Sequence, residues 1–132
     1  MTLQRMDNVL IVVDNLEAAK AFFLEIGMDL EGEMSVEGRS VDLLVGLENV
    51  RCEIATMRTP DGHGRIELDK FHTPAVIRSE PKTTSMNTLG LHRIMFAVDD
   101  LESVLARLRT HGAELVGEIT QYEDMYRLCY IR

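Results

Sequence analysis

Cysteine is scarce. Only Cys52 and Cys129 occur among the 132 residues, and they form no Cys-x-x-Cys pair. That usage suits a reducing cytoplasm, with both thiols acting as small buried apolar groups. Basic charge is short as well: 14 Lys and Arg stand against 22 Asp and Glu, for a formal charge of −8. Phosphate binding needs clustered Lys and Arg, so nucleic acid is excluded as a partner, and so is an anionic membrane surface. No apolar run approaches the ~20 residues of a membrane span. The opening Met1-Thr2-Leu3-Gln4-Arg5 lacks the apolar core of a signal peptide. There is no glycine-rich phosphate loop of the Walker type, and no Ser or Cys sits in a nucleophile elbow. Tyr122, Tyr126 and Tyr130 are too few and too loosely placed for a base-stacking platform.

What is present is an ordinary globular balance, 45% hydrophobic and 27% charged. The length suits one domain, and a chain of this size buries about two-thirds of its unfolded surface. Within it a pattern repeats. The run Gly90-Leu91-His92-Arg93-Ile94-Met95-Phe96-Ala97-Val98-Asp99-Asp100-Leu101-Glu102 has an earlier copy in Asp7 to Glu17. With Val13 set on Val98, 85 residues on, Asp14 meets Asp99, Leu16 meets Leu101, Gly27 meets Gly112 and Gly32 meets Gly117. Capping acids and turn glycines kept at one spacing mark an internal duplication. The site is expected where the two copies face each other.

In chain order, the β-branched run Val9 to Val13 predicts a buried strand. Asp14 or Asn15 caps a helix from Leu16 to Ile26, whose Leu16, Ala19, Phe22, Phe23 and Ile26 share one face. Gly27 ends it. Met28 to Glu33 leads into a second strand, which turns at Glu37-Gly38-Arg39 and continues over Ser40 to Leu47. Val50 to Met57 and Arg65 to Phe71 are further strands, joined by the turn Thr59-Pro60-Asp61-Gly62. The first module, about 5–71, is β-α-β-β-β. Residues 72–89, with Pro74, Pro81, Lys82 and Thr83, form a linker. The second module, 90–132, repeats the plan: a strand from Leu91 to Val98, a helix from Leu101 to His111 begun by Asp99 or Asp100 and stopped by Gly112, then strands over Leu115 to Gln121 and Met125 to Ile131. By the offset Arg132 corresponds to Leu47, so the last strand of module two is expected to be absent from these 132 residues. A sheet lacking it would expose an edge.

Three stretches resemble a known family. They are Asn8-Val9-Leu10-Ile11-Val12-Val13-Asp14-Asn15-Leu16, the turn and strand Thr59-Pro60-Asp61-Gly62-His63-Gly64-Arg65-Ile66-Glu67-Leu68, and the run Gly90 to Leu101. In order and spacing they resemble the vicinal oxygen chelate superfamily, which includes glyoxalase I, bleomycin-resistance proteins and extradiol dioxygenases. The resemblance implies an α+β fold of two βαβββ modules in a single domain, 1–132, and a homodimer. In metal-using members each first strand gives one ligand, often His, and each fourth strand another, often Glu, because inward side chains on curved strands converge.

Carried onto this chain, those places hold Asn8, Glu67 and Arg93, with the fourth on the absent strand. Asn8 is a poor ligand and Arg93 a permanent cation. His92 stands beside the ligand place, and strand alternation sends it to the opposite face. Arg93 is expected to pair with Glu67, as a structural ion pair or as an anchor for an anionic ligand. The expected ligand-binding residues are thus Asn8, Leu10, Glu67, Arg93 and Met95, with Glu67 the candidate catalytic base and no metal or other cofactor. The expected function is binding of a small molecule in a cleft. The alternative is a lyase or isomerase similar to glyoxalase I (lactoylglutathione lyase), or a dioxygenase-like enzyme, holding zinc, nickel, iron or manganese with Glu67 and His92.

Overall fold

The first 73 residues build a sheet and the helix that covers it. Strand β1, Val9–Val12, is followed by helix α1, Leu16–Ile26, and strand β2, Asp29–Glu37. A short helix α2, Arg39–Val45, precedes strands β3, Arg51–Arg58, and β4, Arg65–Thr73. The four strands lie in the order β1-β4-β3-β2, with β1 parallel to β4 and the other pairs antiparallel. This computed structural model describes residues 2–80 and 84–132. Pro81, Lys82 and Thr83 of the expected linker lie outside the described residues.

Alternation decides which face is covered. Met57, Leu68, Ala55, Ile66 and Met28 are buried beneath α1, where Leu16, Ala19 and Phe23 meet Ile11 and Val13. Residues of the intervening parity, Leu10, Val12 and Met34, stay exposed on the other face. Phe96, from the second half, joins the first core and lies 6.4 Å from Phe23, ring centre to ring centre. The neighbouring Phe22 turns the other way, with Ile26, toward a second core of Val104, Leu108 and Ala113. One helix therefore serves both halves, its two phenylalanines meeting edge to face at 5.3 Å.

Helix α3, Leu101–Arg109, repeats α1 at its start but ends two residues short of the expected His111, with Thr110 as a right-handed C-cap where α1 ends directly on the left-handed Gly27. Asn15 accepts from Ala18 N–H at 3.0 Å, and Asp100 from Ser103 N–H at 3.1 Å. Gly27 and Met28 donate to the Leu24 and Phe23 carbonyls, while Gly112 and Ala113 donate to those of Arg109 and Leu108. Both glycines take positive φ, +119° and +90°. Each of these bonds has its counterpart 85 residues on, in support of the duplication.

Two further segments depart from expectation. Ser40 to Leu47 does not continue the second strand but is occupied by α2. Gly38 and Gly46, at φ +110° and +73°, bracket the segment, and the Asp42 carboxylate closes it by accepting from the Asn49 and Val50 N–H groups. Leu91 to Val98 runs without joining a strand ladder. In the first half the equivalent strand is held by β4, and no counterpart of β4 occurs among the described residues.

The second half ends in a short hairpin, β5, Thr120–Tyr122, with β6, Tyr126–Leu128, extended by a Leu115–Ile131 bridge. Glu114 and Arg132 exchange two backbone bonds of 3.0 Å, as Asp29 and Arg58 face each other in the first. Arg132 is thus the counterpart of Arg58, not of Leu47, because the second half replaces the whole α2 excursion with the turn at Glu123, φ +53°.

Candidate functional site

The open face of the sheet follows from register. Leu10 lies opposite Glu67 and Val12 opposite Asp69. On the far side Glu67 faces Thr56 and Asp69 faces Ile54, which in turn faces Met34. The result is an apolar surface of Leu10, Val12 and Met34 with two carboxylates set between β1 and β3. Glu67 is half-buried, whereas Asp69 is 6% exposed, and its Oδ1 is buried without a hydrogen-bond partner. Burial, with the Glu67 carboxyl beside it, pushes the Asp69 carboxyl up to about 7. Beneath the same face burial pushes the Cys52 thiol up to about 11, helped by the charges of Asp69 and Glu67. Cys52 and Cys129 are both free. Asp69 was not among the residues singled out from sequence, although its parity with Glu67 placed it on that face.

The expected residues fall into three places. Leu10 and Glu67 lie together on the open face. Asn8 and Met95 instead line a cavity of about 180 Å³ at the seam of the two halves, with Val9, Met28, Ile66 and Phe96. Arg93 belongs to the second half, where its guanidinium bonds the Tyr130 hydroxyl at 2.5 Å and lies 5.9 Å from that ring's centre. Among the described ion pairs none joins Arg93 to Glu67. Among the described residues no strand lies between residues 91–98 and the β6 arm, and Tyr130 is the partner that Arg93 meets. His92 is half-buried and its Nε2 bonds the Thr88 carbonyl, while Arg93, Ile94 and Met95 are exposed.

Of the remaining histidines, His72 meets Glu53 at 2.7 Å, His111 is exposed, and His63, also exposed, stands at the rim of the seam cavity. A wider hollow of about 440 Å³ opens at the start of α1, where Arg78 bonds Asp14 at 2.5 Å and holds its carboxyl below the usual range.

As a metal site the arrangement is poor. Among the described residues no three His, Cys, Asp or Glu side chains are grouped as a metal ion would need. Asn8 and Glu67 bring one amide and one carboxylate, and Arg93 is engaged by Tyr130. Such a donor set does not fit a divalent ion. What the open face offers is apolar contact beside hydrogen-bond acceptors.

Comparison with known proteins agrees with this architecture. No curated protein matches the chain. A solved structure described as a glyoxalase family protein from Bacillus cereus superposes with a TM-score of 0.93 at 53% identity, covering 99% of this chain and 87% of that one. A sequence profile of the glyoxalase, bleomycin resistance protein and dioxygenase superfamily matches residues 5–130. The chain belongs to the Glyoxalase/Bleomycin resistance protein/Dioxygenase superfamily.

Proposed function

We propose that this protein binds a small organic molecule on the open face of the four-stranded sheet, without a metal ion. The observation that carries the reading is the pairing of exposed Leu10, Val12 and Met34 with the Glu67 and Asp69 carboxyls on one face. Ligand sites are mostly apolar surfaces with a few polar groups that fix orientation. Here Leu10, Val12 and Met34 supply contact area, and Glu67 accepts a hydrogen bond from the ligand. Glu67 is also the group we assign to proton transfer, should the bound molecule react. Asn8 and Arg93, standing where relatives hold ligands, support the metal-free reading.

Two measurements test it. Elemental analysis of the purified protein should find zinc, nickel, iron and manganese far below one ion per chain. In a thermal-shift screen of small organic molecules, ligands that raise the melting temperature should lose most of that effect in Glu67→Gln. A content close to one ion per chain would overturn the metal-free reading and favour glyoxalase-like lyase or isomerase chemistry. Hits indifferent to Glu67→Gln and to Leu10→Ala would remove the open face as the site.

We further propose a symmetric homodimer in the cytoplasm. β1 and β2 are the two edges of the sheet, and an exposed edge is a template for pairing. Two free thiols suit a reducing compartment, and no helix among the described residues is long and apolar enough to cross a membrane. Light scattering at micromolar concentration should give twice the 15.0 kDa chain mass; a monomer mass would refute the dimer.

A further inference from the structure

We propose that the cavity at the seam is a second binding seat. It takes the apolar end of an uncharged molecule about the size of a benzene ring, carrying a hydroxyl or carbonyl head. This goes beyond the open-face reading and does not depend on it.

The cavity holds about 180 Å³, and its walls come from both halves: Val9, Met28 and Ile66 from one, Ile94 and Phe96 from the other. Met28 and Ile66 are each 3% exposed, so the floor reaches the core. The cavity's volume is of the order of the roughly 150 Å³ that admits a benzene-sized guest. Its mouth opens to solvent between the exposed Met6, His63 and Met95, so a guest gains by taking the apolar floor out of water and by dispersion contact with it.

Polar groups stand among the lining residues, and most are committed. The Thr59 hydroxyl donates to Asp61 at 2.6 Å. Arg65 is held by Glu31 at 2.8 Å and by the Gly62 carbonyl at 3.1 Å. Asp7 pairs with Arg5 at 2.6 Å. The Asn8 carboxamide makes no side-chain hydrogen bond among the described residues, and the His63 ring, also without one, lies in the field of the Asp61 carboxylate. Each can both donate and accept. With Asp7 and Arg65 already in ion pairs, what Asn8 and His63 match is a neutral hydroxyl or carbonyl.

The seat also has a mechanical role. Ile94 and Phe96 lie on the segment that joins no strand ladder. A guest touching them and Met28 together ties that segment to the first half.

Phenol is the probe. Protein labelled on its methionine methyls is titrated with phenol and observed by NMR. Contacts from phenol to the Met28 and Met95 methyls are expected, and none to Met34, which stands 59% exposed on the open face. Val9→Phe, which fills the cavity, should weaken phenol binding at least about tenfold. Asn8→Ala should weaken phenol while leaving toluene, which has no polar head, unchanged. Contacts to Met34 in place of Met28, or none, would overturn the proposal. Phenol binding unchanged in Val9→Phe would do the same. If Val9→Phe fails to fold, the contacts in the parent protein decide alone. Because Met34 reports the open face and Met28 the cavity, failure of one reading is separable from failure of the other.

Discussion

At the scale of single residues, Asp69 carries the clearest consequence. The fold keeps its carboxyl neutral up to about pH 7, whereas in the unfolded chain it ionises near pH 4. Between those values the folded protein binds more protons than the unfolded one, so this group's contribution to stability is greatest below about pH 4 and declines as the pH rises to about 7. Asp69→Asn removes that decline. Urea unfolding at pH 5 and at pH 8 should show the variant gaining on the parent as the pH rises; an equal difference at both would show that the buried carboxyl is not the cause. The sequence exposed part of this. Alternation along Arg65, Glu67 and Asp69 set all three on one face, but depth is a tertiary property. Nothing local says that Asp69 sinks to 6% exposure while Glu67, two residues away, remains half-buried. Arg93 shows the same limit from the other side. Its parity was readable, but its partner Tyr130 lies 37 residues along the chain and comes within reach only through the hairpin.

At the scale of elements, the starts of α1 and α3 were the most legible feature, because N-caps are local chemistry. Asn15 and Asp100 each satisfy an amide three residues on, and each sits where a short polar side chain precedes an apolar period. Replacing either by Ala should cost about 1 kcal/mol. Chemical denaturation of the two single variants checks this, and the duplication expects the two losses to be alike. The helix α2 was misread for a physical reason. Its Val and Leu content favours a strand, yet a strand needs a neighbour to receive its amides. Two glycines at positive φ and the Asp42 carboxylate instead turn that segment back on itself. The converse holds at Leu91 to Val98, where composition and alternation are those of a strand but no partner strand lies beside it among the described residues.

For the whole molecule, the two halves share their helix N-caps and their Glu114–Arg132 and Asp29–Arg58 pairings, yet among the described residues they hold their first strands differently. Residues 9–12 are secured by β4 through main-chain bonds, which Val13 continues to the Asp69 carbonyl at 2.9 Å. Residues 91–98 are secured by side chains, through Phe96 in one core, Val98 in the other and Arg93 on Tyr130. A main-chain ladder is largely indifferent to which side chain it carries, whereas a strand tethered by side chains depends on each of them. The two copies should therefore differ in how freely they accept change. In a saturation-mutagenesis library scored for folded protein, Phe96 and Val98 should tolerate fewer replacements than their counterparts Ile11 and Val13. Equal tolerance would mean that the second copy is held by something other than those anchors. If the asymmetry appears, one copy has more freedom to vary, and the other spends its variation on staying attached.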